Sequence, residues 1–285
     1  MKFHSPQSVD EAIGLLAADP DAKILAGGTD LLVRLRSRDV APSAVIDIKR
    51  IDALTTISQP DGRWRIGAAV PSAEMNEHAG LKAAWPGVVE AADLIGSTQV
   101  QGRATVTGNL CNAGPAADSV PAMVAAGAMA EVAGPDGTRL VPVEDIPTAP
   151  GKTSLKQGEM VTAITLPGKP ANSGDAYLRF IPRTEMDIAV VGVGIALTMD
   201  GDTIKDAKVA LGAVGPKVIV ADAAAKALIG TTGDEAALDA LAEAASAAAT
   251  PIDDKRGTAE FRRDVTGVMA KRTAKIAIAR AKGEA

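Results

Sequence analysis

Apolar residues recur at Val9, Ala12, Ile13 and Leu16 behind Ser8, a three-and-four spacing that predicts a helix over 8–18. Ser8 is its N-cap, Glu11 stands three positions on, and Asp19-Pro20-Asp21 ends it. Lys23-Ile24-Leu25-Ala26 then reads as a short strand running into a glycine turn, and 31–36 as a new helix or extended segment. Strands follow over 44–48 and 64–70, with Pro60-Asp61-Gly62 as the turn before the second. Pro71-Ser72-Ala73-Glu74 opens a helix, 87–95 makes another, and 120–128 is a buried helical run. Segments 130–133 and 139–143 pair around a turn at Pro135-Asp136-Gly137, and 160–166 is a further strand.

Breakers and polar residues concentrate at 167–174, which makes this stretch the best linker and divides the chain into domains over 1–172 and 175–285. The second domain opens with strands over 176–181, 189–199 and 204–212, the last two joined by a tight turn at Asp200-Gly201-Asp202. This predicts a three-stranded antiparallel sheet. Helices follow over 221–229 and 235–249, and a last helix over 258–281. That helix places Phe261, Val265, Val268, Met269, Arg272 and Ile276 along one face. Lys271, Lys275, Arg280 and Lys282 fall toward its C-terminal end, where cations suit the helix dipole and read as a solvated helix end.

Composition narrows the chemistry. The 285 residues carry a net charge of −5 with Lys and Arg scattered, so no basic surface for nucleic acid is present. Aromatic residues make up 2%, which leaves an aliphatic core and no stacking platform for bases or sugars. One cysteine, Cys111, and two histidines, His4 and His78, cannot build an internal disulfide, zinc or iron–sulfur site. The longest apolar uncharged runs, 119–130 and 188–199, fall well short of the roughly 20 residues a membrane span needs. The expectation is a cytoplasmic protein without a bound metal.

Two glycine-bearing loops without a cation remain: Ala26-Gly27-Gly28-Thr29-Asp30, and Thr105-Val106-Thr107-Gly108-Asn109-Leu110-Cys111-Asn112-Ala113, followed by Pro115-Ala116-Ala117-Asp118. Glycine lets the backbone come close to a ligand, so successive amides can converge on phosphate oxygens without a lysine. Two such loops can hold one diphosphate, which implies a nucleotide cofactor.

With Arg183-Thr184-Glu185-Met186-Asp187-Ile188-Ala189 added, the same stretches carry a resemblance that covers essentially the whole chain. The chain resembles the FAD-binding medium subunit of the molybdenum hydroxylases, the xanthine dehydrogenase and carbon monoxide dehydrogenase family. The resemblance implies an α+β fold: a two-part FAD-binding domain of the vanillyl-alcohol-oxidase type, then a smaller α+β domain. It implies that Ile24, Leu25, Ala26, Gly27, Gly28, Thr29, Asp30 and Leu31 wrap the FAD diphosphate, and that Thr105, Thr107, Gly108 and Asn109 form the second diphosphate loop. By the same resemblance Asp118 binds the adenosine ribose, Ile95 lies over one isoalloxazine face, Val161 contacts the adenine side, and Arg179 stands near the flavin pyrimidine ring. One departure stands out: where the family has two adjacent glycines in the second loop, this chain has Thr107-Gly108, whose extra Cβ would disfavour a positive φ.

The implied role is electron transfer through non-covalent FAD, with no catalytic residue on the chain itself. The implied partners are a small subunit with [2Fe-2S] clusters and a large molybdopterin subunit, assembled as a dimer of heterotrimers. Two other readings stay open, an independent flavin oxidase of the same fold and a non-catalytic nucleotide-binding module. Remaining motifs read blandly. Gly192-Val193-Gly194 lacks the third glycine of a dinucleotide fingerprint and reads as a buried strand, His78 as a surface residue, and Cys111 as packing.

Overall fold

The computed structural model describes residues 1–284. A first lobe contains β1 (Lys2–His4), α1 (Val9–Ala18), β2 (Lys23–Leu25), α2 (Leu31–Arg36) and β3 (Ala44–Asp47). Its strands form a parallel sheet in the order β1-β3-β2. As expected, Ser8 Oγ accepts from the Glu11 amide at 3.2 Å, and Ala12 and Leu16 are buried beneath α1.

The second lobe runs through β4 (Ile57–Ser58), β5 (Trp64–Gly67), α3 (Ser72–Glu77), α4 (Ala79–Ala84), α5 (Pro86–Asp93), α6 (Thr98–Gln101), α7 (Val106–Cys111) and α8 (Ser119–Ala125). It continues with β6 (Met129–Gly134), β7 (Gly137–Pro142), β8 (Pro147–Ala149), β9 (Lys152–Thr153) and β10 (Met160–Leu166). A five-stranded antiparallel sheet, ordered β4-β5-β10-β6-β7, packs its apolar face under α5 and α8 around Ile66, Met123, Val124 and Ile164. The last lobe comprises β11 (Ser173–Phe180), β12 (Val191–Asp200), β13 (Thr203–Gly212), β14 (Ile219–Val220), α9 (Asp222–Leu228), α10 (Glu235–Ala248) and α11 (Ala259–Lys282). The three expected strands pair antiparallel, and β14 adds a short fourth along β13.

The Gly192-Val193-Gly194 motif is the buried strand expected of it. A Cβ at Gly194 would overlap the carbonyl oxygen of Pro121, and one at Gly212 would stand 2.6 Å from Pro121 Cγ, so these glycines let α8 settle on β12 and β13. Tyr177, Ala210 and Val218 join the core of the second lobe, so the lobes share apolar packing rather than a thin contact.

Three expectations are corrected. The segment from Thr105 to Asn112 is not an open loop, because Thr105 Oγ1 accepts from the Gly108 amide at 2.8 Å and caps α7. The predicted apolar face of the last helix is only partly the buried one: Met269 is buried and Val265 and Ile276 pack against the core, but Phe261, Val268 and Arg272 are exposed, while Thr266, Gly267, Ala270, Thr273, Ala274 and Ala277 are buried. Close packing of α11 on β11 and α10 selects small side chains, since a Cβ at Gly174 would overlap Ala277 O and one at Gly267 would meet Ser246 Oγ at 2.7 Å. Thr266 and Thr273 tolerate burial by donating to carbonyls four residues back, at 2.7 and 2.8 Å. Finally, Arg280 is not a solvated helix end. It pairs with Glu90 of α5 and donates to Asp175 O at 2.8 Å, tying α11 to the FAD-side lobe.

Candidate functional site

The first loop leaves the end of β2 and is fastened from behind. The Ile48 amide donates to Leu25 O at 3.2 Å, and Lys49 Nζ donates to Ala26 O at 3.1 Å while pairing with Asp47. Gly28 then turns the chain at φ +82°, a conformation that glycine adopts without the penalty a Cβ brings. The amides of Gly27, Gly28, Thr29 and Asp30 find no acceptor among the described residues. Four successive donors left free at the wall of a cleft, behind a glycine turn, make this a place for an anion's oxygens.

The second loop meets the first directly. A Cβ on Gly27 would overlap the backbone carbonyl of Arg103, so glycine there lets the two chain segments touch. Asn112 Nδ2 donates to Asp30 Oδ1 at 3.3 Å and closes the contact from the other side. Within α7, the amides of Val106 and Thr107 lack acceptors among the described residues, as first-turn amides do. Thr107 Oγ1 is buried with no hydrogen-bond partner, an orphan that a bound oxygen or nitrogen would satisfy. Because Thr107 is helical and its φ is not positive, the strain expected of a Cβ at this position does not arise. Asn109 Oδ1 is spent internally, accepting from Ser119 Oγ at 2.7 Å and the Ser119 amide at 3.3 Å.

Together the loops wall a cleft of about 260 Å³. Ile24, Ala26, Gly27, Gly28, Thr29, Asp30, Leu31, Ile95, Thr105, Thr107, Gly108, Asn109 and Val161 all line it, bringing together residues 137 positions apart in sequence. Leu25 lies buried behind the turn instead. Ile95 and Val161, which the resemblance assigns to opposite ends of FAD, line this same cleft. A second cavity of about 580 Å³ adjoins it, the two sharing Asp30, Asn109 and Asn112, and runs past Pro115, Ile188 and Arg262 toward the last lobe. Asp118 and Arg179 line neither cavity. They pair with each other, Arg179 Nη1 donating to Asp118 Oδ2 at 2.7 Å and Tyr177 Oη to Asp118 Oδ1 at 3.1 Å. Burial pushes the Asp118 carboxyl up to about 6 against the opposing pull of Arg179, and pushes the Tyr177 phenol well above its ordinary value.

Sequence reasoning missed several wall residues. Lys23 heads β2 beside the predicted Ile24, whereas Arg34, Ala68, Leu155, Glu159 and Met160 reach the cleft only through the packing of α2 and of the segments around β5 and β10, and no local signal marks those five. Asn112 was inside the motif and could have been found by its amide. Cys111 lines the cleft with its thiol pushed up to about 12 by burial, which suits packing and not nucleophilic attack. His78 caps α4, its Nδ1 accepting from the Leu81 amide at 3.1 Å, and packs edge-on against Trp64. Among the described residues no cluster of three or more metal-ligating side chains occurs, and no helix is long and apolar enough to cross a membrane.

Comparison with known proteins places this geometry. The profile of the family described as FAD binding domain in molybdopterin dehydrogenase matches residues 1–169, and that of the CO dehydrogenase flavoprotein C-terminal domain matches residues 176–277. The carbon monoxide dehydrogenase medium chain of Afipia carboxidovorans is 34% identical over 98% of this chain and 97% of its own length. The xanthine dehydrogenase FAD-binding subunit of Escherichia coli O157:H7 is 30% identical over 99% of this chain and 97% of its own. Among solved structures, a chain of reconstituted CO dehydrogenase from Oligotropha carboxidovorans superposes with a TM-score of 0.94 at 32% identity, covering 98% of both chains. A chain of quinoline 2-oxidoreductase from Pseudomonas putida 86 superposes at 0.90 with 29% identity, covering 100% of this chain and 98% of that one.

Proposed function

This chain belongs to the FAD-binding medium subunits of the molybdenum hydroxylase family, and from that premise we propose that it is the electron-transfer subunit of an oxidoreductase complex. It receives electrons from [2Fe-2S] clusters on a small partner and passes them to an external acceptor, while a large molybdopterin subunit handles the substrate. The proposed assembly is a cytoplasmic dimer of such heterotrimers.

The observation that carries this reading is the pair of touching loops with unpaired amides at Gly27, Gly28, Thr29 and Asp30 and at Val106 and Thr107. These donors, with the orphaned Thr107 hydroxyl, would hold the diphosphate of FAD chiefly through backbone amides. The cleft and the adjoining cavity, which meet at Asp30, Asn109 and Asn112, give room for the parts of the molecule beyond the diphosphate. FAD, when bound, supplies a two-electron store that can be filled and emptied one electron at a time. The chain's own task is then to anchor the diphosphate, exclude water with Ile24, Ile95 and Val161, and keep reactive groups away, as the inert Cys111 thiol does. Neither histidine and no reactive thiol stands in position to attach a ring covalently, which supports non-covalent binding.

Purified protein or its complex is expected to be yellow and to release intact FAD on acid precipitation. Flavin left in the pellet, or none at all in the assembled complex, overturns the reading. The isolated chain loaded with FAD is expected to be reduced by dithionite yet to turn over no molybdenum-hydroxylase substrate until the small and large subunits are added. Turnover by the chain alone at the rate of the complex would make it an independent oxidase.

A further inference from the structure

The seam between the two cavities is marked by one acid, and its carboxylate has little to do within the protein. Asp30 stands at the N-cap position of α2 but makes no side-chain cap hydrogen bond. Its only side-chain partner is Asn112 Nδ2, at 3.3 Å from Oδ1, and Oδ2 has none among the described residues. The residue is exposed and lines both the cleft and the second cavity. It directly follows the run of unpaired amides at Gly27, Gly28 and Thr29. By contrast Asp118, the acid to which the resemblance gives the ribose, is enclosed by Tyr177 and Arg179 and reaches neither cavity.

We propose that the Asp30 carboxylate is the acceptor for the sugar hydroxyls that flank the FAD diphosphate, the role the resemblance gives to Asp118. This rests on the FAD reading of the same site. A diphosphate seated on the amide run has a polyol attached at each end, whose secondary hydroxyls begin a few bonds from the phosphates. A carboxylate beside that run can accept two such O–H donors, and hydrogen bonds to an ionised group are the stronger kind. Its charge repels the diphosphate, and Lys23 and Arg34, which line the same cleft and form no salt bridge among the described residues, offset that repulsion. Asp30 thereby reads the linker that FAD threads from one cavity to the other.

The test measures FAD binding to the full-length apoprotein, or to the assembled complex, by flavin fluorescence and not by turnover. Asp30→Ala is expected to weaken FAD binding about tenfold to a hundredfold, the loss of a charge-assisted hydrogen bond. Asp30→Asn, which keeps an oxygen for Asn112, is expected to lose less while melting as the wild type does. Two analogues then name the hydroxyl: FAD lacking the ribityl 4′-hydroxyl and FAD lacking the adenosine 2′-hydroxyl. The analogue that wild type and Asp30→Ala bind equally identifies the group Asp30 accepts from. The assignment is overturned if Asp30→Ala binds FAD as the wild type does, or if the variant's loss is undiminished with both analogues. Wild-type complex that takes up no FAD overturns the FAD reading, and this assignment with it.

Discussion

The first loop presents four unpaired amides from a glycine turn held open by φ +82° at Gly28, whereas the second presents two from the capped first turn of a helix. One depends on missing side chains. The other depends on present ones, since Thr105 caps α7, Thr107 supplies a buried hydroxyl and Asn109 fastens Ser119. The difference explains why the second loop accepts threonine where the resemblance leads one to expect glycine: a helical residue bears a Cβ freely, and only the left-handed turn of the first loop excludes one. The tolerance of a phosphate loop thus depends on its backbone conformation more than on its composition.

The contrast is broken most severely at Gly27. Valine there would overlap the backbone carbonyl of Arg103 and force the loops apart, so Gly27→Val is expected to cost about 3 kcal/mol or more and to leave no bound flavin. Chemical denaturation and the flavin-to-protein absorbance ratio check it. The acids that close the two loops differ next. Desolvation raises both carboxyls, that of the exposed Asp30 beside the cleft wall and that of Asp118, which is buried with Arg179. A carboxyl raised from 3.8 to about 6 favours the fold below its unfolded value, and that contribution is lost as pH rises to about 6 and stays lost above it. Wild type is therefore expected to lose up to about 3 kcal/mol relative to Asp118→Asn between about pH 4 and pH 6, roughly two units at about 1.4 kcal/mol each. A flat difference in denaturation midpoints across that range would refute it.

Smaller effects sharpen the comparison. Gly28→Val is expected to cost about 1–2 kcal/mol through its left-handed backbone and to strip flavin from the protein. Gly201→Val, also at positive φ but in the turn between β12 and β13 with open space around it, should carry similar strain and keep its flavin. Equal flavin content in both folded variants would show that the first loop does not approach the ligand. Smallest is Thr107→Val, which removes an unpaired buried hydroxyl: its stability should match or slightly exceed that of wild type, while FAD binding weakens by about 1 kcal/mol. Unchanged affinity, measured by fluorescence titration, would mean the hydroxyl does not meet the cofactor.

Wherever apolar spacing or turn chemistry acts locally, the order of residues was sufficient. Ser8 and Glu11 announce α1, Asp200-Gly201-Asp202 joins β12 to β13, and the breakers at 167–174 run up to β11 and into its first two residues. The two loops were legible because glycine and small amides without charge have few other uses. Three things were decided only by tertiary structure. α11 buries Gly267, Ala270 and Ala274 instead of Phe261 and Val268, because the gap beside α10 and β11 has no room for larger groups. Asp118 and Arg179 neutralise one another away from the cleft, because two buried charges are stable only together. Asp30 stands at the seam of two cavities with a carboxylate largely unused, because the meeting of Gly27 with Arg103 brings there segments some 75 residues apart. Spacing along the chain reports the period of a helix or strand, but which side chain faces an empty space depends on what distant segments leave unfilled.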